Sequence, residues 1–244
     1  MVTIQKSRTF NALTPVILFC FVLSALSYAQ EIQIVAPNGL ENSSGNDSGP
    51  MISAPRRVQV LYDAEHLASD GVIEITSLAW RTDESQAISL ISTDDEVSIR
   101  LSTIERPFLT TDFEFNIGAD ELEVYMGSVT LDIEGGMQPE EFLQKIDFTT
   151  PFRYDPSVGN LLVDYEFTGF SPVWTIDHQD FSDGKTRMIL DRPDSSTATA
   201  FWNLVPVTQF TAVPVPEPTG LSLAAIAGFI IPCAVRRRSR RHDR

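Results

Sequence analysis

The amino-acid sequence predicts an all-β fold, a β-sandwich or jelly-roll-like domain of about ten strands. Alternating apolar and polar residues recur along the middle of the chain, whereas helical periodicity is scarce there. Pairs of turn-forming residues with glycine or proline separate the alternating runs at short intervals. No repeat of fixed period is present, which disfavours propellers and solenoids.

The clearest strands are those in which every second residue is apolar, because one face of each strand is then buried. Residues 97–102 and 129–133 alternate in this way, and Leu161, Val163, Tyr165 and Phe167 fall on one face of a third run. Further strand candidates span residues 58–62, 73–80, 87–91, 142–148, 173–176, 186–190 and 200–207.

Local irregularities add detail to this pattern. The alternation in residues 73–80 slips by one position near Ser77, which predicts a β-bulge or a strand passing between two environments. Asp183-Gly184 lies between two strand candidates and predicts a hairpin turn. Residues 111–115 are compatible with a strand or with a short helix capped by Thr or Asp.

The N-terminus has the pattern of a secretory signal peptide. Lys6 and Arg8 precede an apolar run over residues 12–26, and Ser27-Tyr28-Ala29 places small residues at both positions that select cleavage. The run is shorter than the roughly 20 residues that span a bilayer. We therefore expect residues 1–29 to be removed by signal peptidase between Ala29 and Gln30, after export by the general secretion machinery.

Charge and cysteine content limit what the middle of the chain can do. Residues 30–213 contain 10 basic and 31 acidic side chains, a formal charge of −21, which disfavours nucleic acid and anionic membrane surfaces as partners. High solubility is the simplest role for this charge. Cys20 and Cys233 both lie outside this segment, so it contains no disulfide, cysteine nucleophile or thiolate metal site.

No known catalytic motif occurs, and we expect the protein not to be an enzyme. His66 and His178 are far apart in sequence and have no partners at ligand spacing. Two carboxylate pairs share one side of a strand, Asp132 with Glu134 and Asp164 with Glu166. Such pairs are expected by chance in so acidic a chain, and a solvated outer face explains them better than a glycosidase site.

We expect no cofactor and no bound metal, although three aspartates are weak candidates for calcium ligands. Asp177, Asp180 and Asp183 lie close together and precede the turn residue Gly184. Their spacing departs from that of an EF-hand loop, and the distal glutamate is missing.

The C-terminus combines a proline-rich stretch, an apolar run and an arginine cluster. Prolines gather over residues 205–216, which predicts a stiff linker, assigned to residues 211–218, after an ectodomain over residues 30–210. Residues 219–244 contain an apolar run of about 17 residues, which ends at Val235, and then the arginines. At a rise of 1.5 Å per residue, a helix of this length covers about 25 Å of a membrane core about 30 Å thick. The arginines that follow predict a cytoplasmic tail and an exported domain.

This C-terminus resembles the PEP-CTERM sorting signal of Gram-negative envelope proteins. The resemblance rests on Val215-Pro216-Glu217-Pro218, the short apolar helix, and Arg236, Arg237 and Arg238. It implies recognition by an exosortase, processing near Pro216 to Pro218, and a brief tether to the inner membrane. It also implies delivery to the cell surface, the outer envelope or an exopolysaccharide matrix.

The ectodomain is similar to that of a group of these sorted proteins. The stretches that carry the similarity are residues 37–41 with Gly45-Asn46, 57–62, 73–81, 115–120, and 150–156 with 159–162. That group has no assigned biochemical activity, so the resemblance implies no catalytic or binding residues.

These observations predict a non-catalytic protein of the cell surface or the exopolysaccharide matrix. The alternative is a carbohydrate-binding β-sandwich module, with or without calcium, that holds the exopolysaccharide. Trp80, Trp174 and Trp202 would be its stacking platforms, but each lies in a strand candidate and is expected in the core. A glycoside hydrolase would require two acids that converge across a cleft.

Overall fold

Strands dominate the computed structural model, which describes residues 30–52, 54–67, 71–83, 90–133, 141–142, 144–169 and 174–216. The described strands are β1 (Ile32–Ala36), β2 (Asp47–Ile52), β3 (Arg56–Tyr62), β4 (Ile73–Trp80), β5 (Leu90–Ile104), β6 (Leu122–Ile133), β7 (Gln144–Tyr154), β8 (Asn160–Phe167), β9 (Trp174–Asp180), β10 (Met188–Asp191), β11 (Ala200–Trp202), β12 (Leu204–Pro206) and β13 (Thr208–Pro214). One short helix, α1 (Phe113–Asn116), and one 3-10 turn (Ala64–His66) accompany them. The predicted all-β class is confirmed.

The strands form three antiparallel sheets. The largest has the order β11-β10-β3-β8-β5-β6, and the second has the order β1-β13-β4-β7. A smaller sheet has the order β12-β9-β2.

Four strand pairs are nested in the two larger sheets. The innermost pair is β5 with β6, followed outward by β4 with β7, β3 with β8, and β1 with β13. Successive pairs alternate between the six-stranded and the four-stranded sheet. The chain therefore runs as one long antiparallel hairpin folded over on itself, and its two outermost strands meet in the four-stranded sheet.

The main hydrophobic core contains side chains from both larger sheets, as in a β-sandwich. Trp80 of the four-stranded sheet packs against Tyr165 of the six-stranded sheet with ring centroids 5.5 Å apart. Tyr62 meets Phe210 edge to face at 5.4 Å. The alternate residues of β8 from Leu161 to Phe167 are buried in this core. The prediction that they share one buried face is confirmed.

A second, smaller cluster covers part of the outer side of the six-stranded sheet. Its members are Leu61, Ile104, Leu109, Phe113, Leu162, Ile189 and Ala198. Helix α1 supplies Phe113 and is capped by the Asp112 carboxylate, which accepts a hydrogen bond from the Phe115 N–H at 3.0 Å. Of the two alternatives for residues 111–115, the capped helix is the one that forms. Strands β3, β8 and β10 therefore bury side chains on both faces.

The slip in alternation within residues 73–80 is a β-bulge, as predicted. The register of β4 shifts between Ile75 and Ser77 against β7, and the register of β13 against β4 shifts between Thr211 and Ala212. At this bulge β4 has one residue more than β13. The extra residue turns β4, so that the apolar side chains before and after the bulge both lie on the core side.

The predicted hairpin at Asp183-Gly184 is wrong. Gly184 has the positive φ that the turn requires, +76°, but β9 and β10 belong to different sheets. A positive φ permits a tight turn, whereas the pairing of the flanking strands is decided by where their apolar faces are buried.

The predicted linker over residues 211–218 is also wrong in its first half. Strand β13 extends through Pro214 and lies between β1 and β4, with Phe210 and Ala212 fully buried. The prolines in this region suggested a linker, but Pro206 and Pro214 each end a strand, where a missing N–H is tolerated. The domain therefore continues to residue 214 instead of 210.

We expect Phe210→Ala to lower the free energy of unfolding by about 3–5 kcal/mol, because it leaves a cavity against Tyr62 in the main core. Urea denaturation followed by tryptophan fluorescence measures this change. Phe201→Ala, which removes a 57% exposed ring from the edge strand β11, is the control and should change stability by less than about 0.5 kcal/mol. Equal effects of the two substitutions would contradict the central position of β13.

Candidate functional site

The three aspartates considered as calcium ligands are bonded to protein donors and do not converge. Asp177 is paired with Arg81, and Asp183 is paired with Arg187. Asp180 accepts a hydrogen bond from the Ser182 N–H at 3.0 Å. Their geometry explains turns and ion pairs, and within the described residues it does not assemble a calcium site.

Asp177 and Arg81 form a fully buried ion pair. The guanidinium donates to Asp177 Oδ2 at 2.6 and 2.8 Å, and Asp177 Oδ1 accepts from the Gly45 N–H at 2.9 Å. Arg81 also donates to the carbonyl oxygens of Leu40 and Ser43. A Cβ at Gly45 would lie 2.0 Å from a backbone oxygen, so only glycine fits there. The pair therefore fixes residues 40–45 against β4 and β9.

Asp164 and Arg57 form a second buried pair, on the outer side of the six-stranded sheet. Arg57 donates to Asp164 at 2.7 Å, and Gln59 Nε2 donates to the same carboxylate at 2.9 Å. Asn116 of α1 donates to Gln59 Oε1 at 3.0 Å. The prediction that Asp164 lies on a solvated face is therefore wrong, because α1 and its flanking residues cover this side chain.

The other carboxylates of the two predicted pairs have different surroundings. Glu166 is partly exposed and lies 3.6 Å from Arg100. The side chain of Asp132 and the whole of Glu134 lie outside the described residues.

Arg187 is the centre of a third ionic network. It donates to Asp63 Oδ2 at 2.7 Å, to Asp183 at 2.8 Å and to Asn203 Oδ1 at 2.5 Å, and its guanidinium lies 4.3 Å from the ring centroid of Phe181. Burial lowers the pKa of Arg187, but the hydrogen bonds and charges of the two aspartates outweigh it and raise the pKa overall. Hydrogen bonds from Arg187 also hold the pKa of Asp183 well below its usual range. In all three networks the carboxylates serve as structural partners of arginines.

His178 is a satisfied core residue. Its Nδ1 lies 2.8 Å from the Ile176 carbonyl oxygen, and the ring is buried. Burial lowers its pKa, although the hydrogen bond to Ile176 and the charges of Asp177, Asp47 and Asp83 act in the opposite direction.

His66 lies at the surface, where its Nδ1 is 3.0 Å from Asn38 Oδ1 and its ring stacks on Phe181 with centroids 5.0 Å apart. It belongs to a group of ligand atoms that the sequence analysis missed. One carboxylate oxygen each from Asp63 and Glu65 and one His66 nitrogen all lie within 4.8 Å of one another. The sequence signal was the occurrence of three ligand-type residues within four positions, Asp63-Ala64-Glu65-His66.

A groove of about 440 Å³ opens on the outer face of the six-stranded sheet, where the smaller apolar cluster does not cover it. Its lining comes from β5, β6, β8 and the residue after β8: Glu96, Val97, Ser98, Arg100, Met126, Gly127, Glu166 and Thr168. Arg100 is the cation of this lining and is flanked by the carboxylates of Glu123 and Glu166. Such a mixture of charged groups, hydroxyls and one exposed thioether suits a polar ligand with an apolar face.

The tryptophans divide between core and surface. Trp80 is buried, as predicted, whereas Trp202 is 42% exposed and lies beside the exposed Phe201 on β11. The prediction is wrong for Trp202 because β11 is a short edge strand that pairs only with β10. The side chain of Trp174 lies outside the described residues.

The residues of the two predicted processing signals lie at or beyond the limits of the described chain. Gln30 is exposed and Pro216 lies two residues after the end of β13, whereas Ala29, Glu217, Pro218 and Arg236 to Arg238 lie outside the described residues. In the part of the chain that the structure describes, no helix is long and apolar enough to cross a membrane.

Comparison with known proteins adds no family assignment. No protein-family model matches the chain, and no curated protein matches it.

We expect the free energy of unfolding to fall as the pH decreases from about 7 to 5, partly because of His178. The unfolded chain takes up a proton near pH 6.5, whereas the buried imidazole with its lowered pKa stays neutral, so protonation favours unfolding. His178→Gln should reduce this fall, since one fully coupled proton is worth about 1.4 kcal/mol per pH unit. Denaturation curves of the native protein and of His178→Gln at several pH values measure the difference. An identical pH dependence in native protein and His178→Gln would contradict the expectation.

Proposed function

We propose that the chain is an exported, non-catalytic protein of the cell surface or exopolysaccharide matrix, sorted and processed by an exosortase. The observation that carries this proposal is the position of the three-part C-terminal signal relative to the last strand. Strand β13 ends at Pro214, and the Val215 N–H donates to the Val72 carbonyl oxygen at 2.9 Å. The Pro-Glu-Pro motif begins at the next residue. Cleavage between Pro216 and Pro218 would therefore leave all the described strands intact.

The proposed route follows from the two terminal segments. General secretion and signal peptidase would release the mature N-terminus at Gln30. The apolar run would hold the chain briefly in the inner membrane, with Arg236, Arg237 and Arg238 on the cytoplasmic side. Processing by the exosortase would then deliver the domain to the surface or the matrix.

The proposed fold is a jelly roll, and the nesting of the strand pairs supports it. A jelly roll is a double-sheet barrel of eight antiparallel strands, and β1, β3 to β8 and β13 supply eight strands in two sheets. Strand β2 and strands β9 to β12 are then insertions that form the small sheet and widen the six-stranded sheet.

We also propose that the protein is not catalytic. The ion pairs of three buried acids support this part of the proposal. Asp164 and Asp177 hold arginines with short hydrogen bonds, and Asp63 holds Arg187. A catalytic pair needs two carboxyls facing a cleft with separated pKa values. These three buried acids instead face arginines.

Intact mass spectrometry of the mature protein from the cell surface and the culture supernatant tests the sorting proposal. We expect an N-terminus at Gln30 and a C-terminus near Pro218. Glu217→Gln should leave a larger fraction uncleaved, whereas Glu121→Gln, which alters an exposed acid of the domain, should not. A surface species that retains Arg236 to Arg244 in the native protein would contradict processing.

The groove on the six-stranded sheet favours a second candidate function, binding of the exopolysaccharide. If the groove binds the polymer, Arg100→Ala should abolish co-sedimentation with purified native exopolysaccharide, and Arg192→Ala, an exposed arginine elsewhere, should not. Because Asp177 and Asp183 are held by arginines, we expect binding to persist in the presence of a chelator. Equal binding by native protein and Arg100→Ala would contradict this function, and loss of binding with chelator would restore a role for calcium.

A further inference from the structure

Two carboxylates and an imidazole meet beside the 3-10 turn at the end of β3. Oxygen atoms of Asp63 and Glu65 and a ring nitrogen of His66 lie within 4.8 Å of one another. The turn explains the approach, because residues three apart are eclipsed in a 3-10 helix and the His66 N–H donates to the Asp63 carbonyl at 2.9 Å. Asn160 Oδ1 anchors the turn by accepting from the Ala64 N–H at 2.9 Å.

One oxygen of the Asp63 carboxylate, which belongs to this cluster of side chains, is buried without a hydrogen-bond partner. The Asp63 side chain is only 8% exposed, and its Oδ2 is held by Arg187. Its Oδ1 has no donor. A buried carboxylate oxygen without a partner is costly, and such an atom in a native fold calls for a bound water, a ligand or an ion.

The imidazole of His66 is oriented in the way that metal-binding histidines are. Asn38 Nδ2 lies 3.5 Å from the Glu65 carbonyl oxygen, which sets the orientation of the amide, so Asn38 Oδ1 faces His66 Nδ1 as an acceptor. With Asn38 Oδ1 as the acceptor, the neutral tautomer carries its proton on Nδ1 and keeps a lone pair on Nε2 as the ligand atom. A carbonyl oxygen that accepts from the other ring nitrogen is the usual support of a histidine ligand. The stacked ring of Phe181 further restricts its rotation.

The nearby arginine does not make the cluster positive. Arg187 is shared between Asp63 and Asp183, and Lys185 lies 3.8 Å from Asp183. The group then contains three carboxylates, those of Asp63, Asp183 and Glu65. It contains two cations, Arg187 and Lys185, so its net charge is negative.

We propose that Asp63, Glu65 and His66 bind one divalent transition-metal ion of the Zn²⁺ type. Two oxygens and one imidazole nitrogen suit Zn²⁺, whereas Ca²⁺ and Mg²⁺ prefer oxygen ligands alone. Three protein ligands leave the fourth position of a tetrahedral ion for water. The site is independent of the sorting function, which requires no metal.

Zn²⁺ titration of the metal-free mature protein by calorimetry, with Co²⁺ absorption as a second readout, tests the site. We expect one ion per chain. We also expect at least tenfold weaker binding by Glu65→Gln and by His66→Gln, because each removes one ligand. Glu105→Gln, which alters an exposed acid outside the cluster, is the matched control and should bind like the native protein. Circular dichroism confirms that each variant is folded, and Asp63→Asn is avoided because it also weakens the pair with Arg187.

Asn38→Ala leaves all three ligands in place and tests the orientation of the ring. We expect it to weaken binding by roughly 10- to 100-fold, as loss of outer-shell support does. Native-like binding by this variant would overturn the assignment of His66 as an oriented ligand. The proposal as a whole is overturned if the native protein binds no Zn²⁺, or if the Glu65→Gln, His66→Gln double variant binds it as tightly as the native protein.

Discussion

The described structure depends on three buried arginines, each held by an aspartate that is distant in sequence. Arg57 and Asp164 are 107 positions apart, Arg81 and Asp177 are 96 apart, and Arg187 and Asp63 are 124 apart. A buried ion pair adds little net stability over an apolar pair of the same size, but removal of one partner leaves an uncompensated charge in the interior. The folded state that buries these arginines therefore requires that the paired aspartates stay in contact with them.

The three pairs also fix the parts of the chain that lie outside the nested strands. Arg81 and Asp177 hold residues 40–45, and Arg57 and Asp164 hold the segment that contains α1. Arg187 connects the turn after β3 with the residues between β9 and β10. The three enclosed arginines and their three aspartates cancel in charge, so these pairs do not change the acidic excess that the composition gives for residues 30–213.

These pairs give a physical role to residues in the stretches that were singled out from the sequence alone. Gly45, Arg57, Arg81 and Asn116 all belong to those stretches, and each has a place in a buried ionic network. Gly159, in another of the stretches, has no room for a Cβ, which would lie 2.5 Å from the Ile104 carbonyl oxygen. The residues at these positions therefore meet requirements of the fold.

Sequence patterns predicted what depends on neighbours within a few residues. The alternation in β8 is confirmed, and in residues 73–80 and 111–115 one of the two predicted alternatives forms, a bulge in β4 and the capped helix α1. All three features are local. Burial of Asp164 and the central position of β13 depend on segments far away in sequence, so alternation and proline content could not reveal them. The cluster around Asp63 was visible as a local spacing, but its significance rests on a buried oxygen that only the folded chain defines.

The most direct test of the account is the free energy of unfolding of Asp177→Asn, measured by urea denaturation beside Asp180→Asn. The first substitution removes the charge that neutralises buried Arg81, and the second alters a carboxylate that caps a turn. We expect a loss of about 3–5 kcal/mol for Asp177→Asn, with faster hydrogen exchange at the Gly45 N–H, and a much smaller loss for Asp180→Asn. Equal, small losses for both variants would contradict the claim that buried arginine–aspartate pairs hold this fold together.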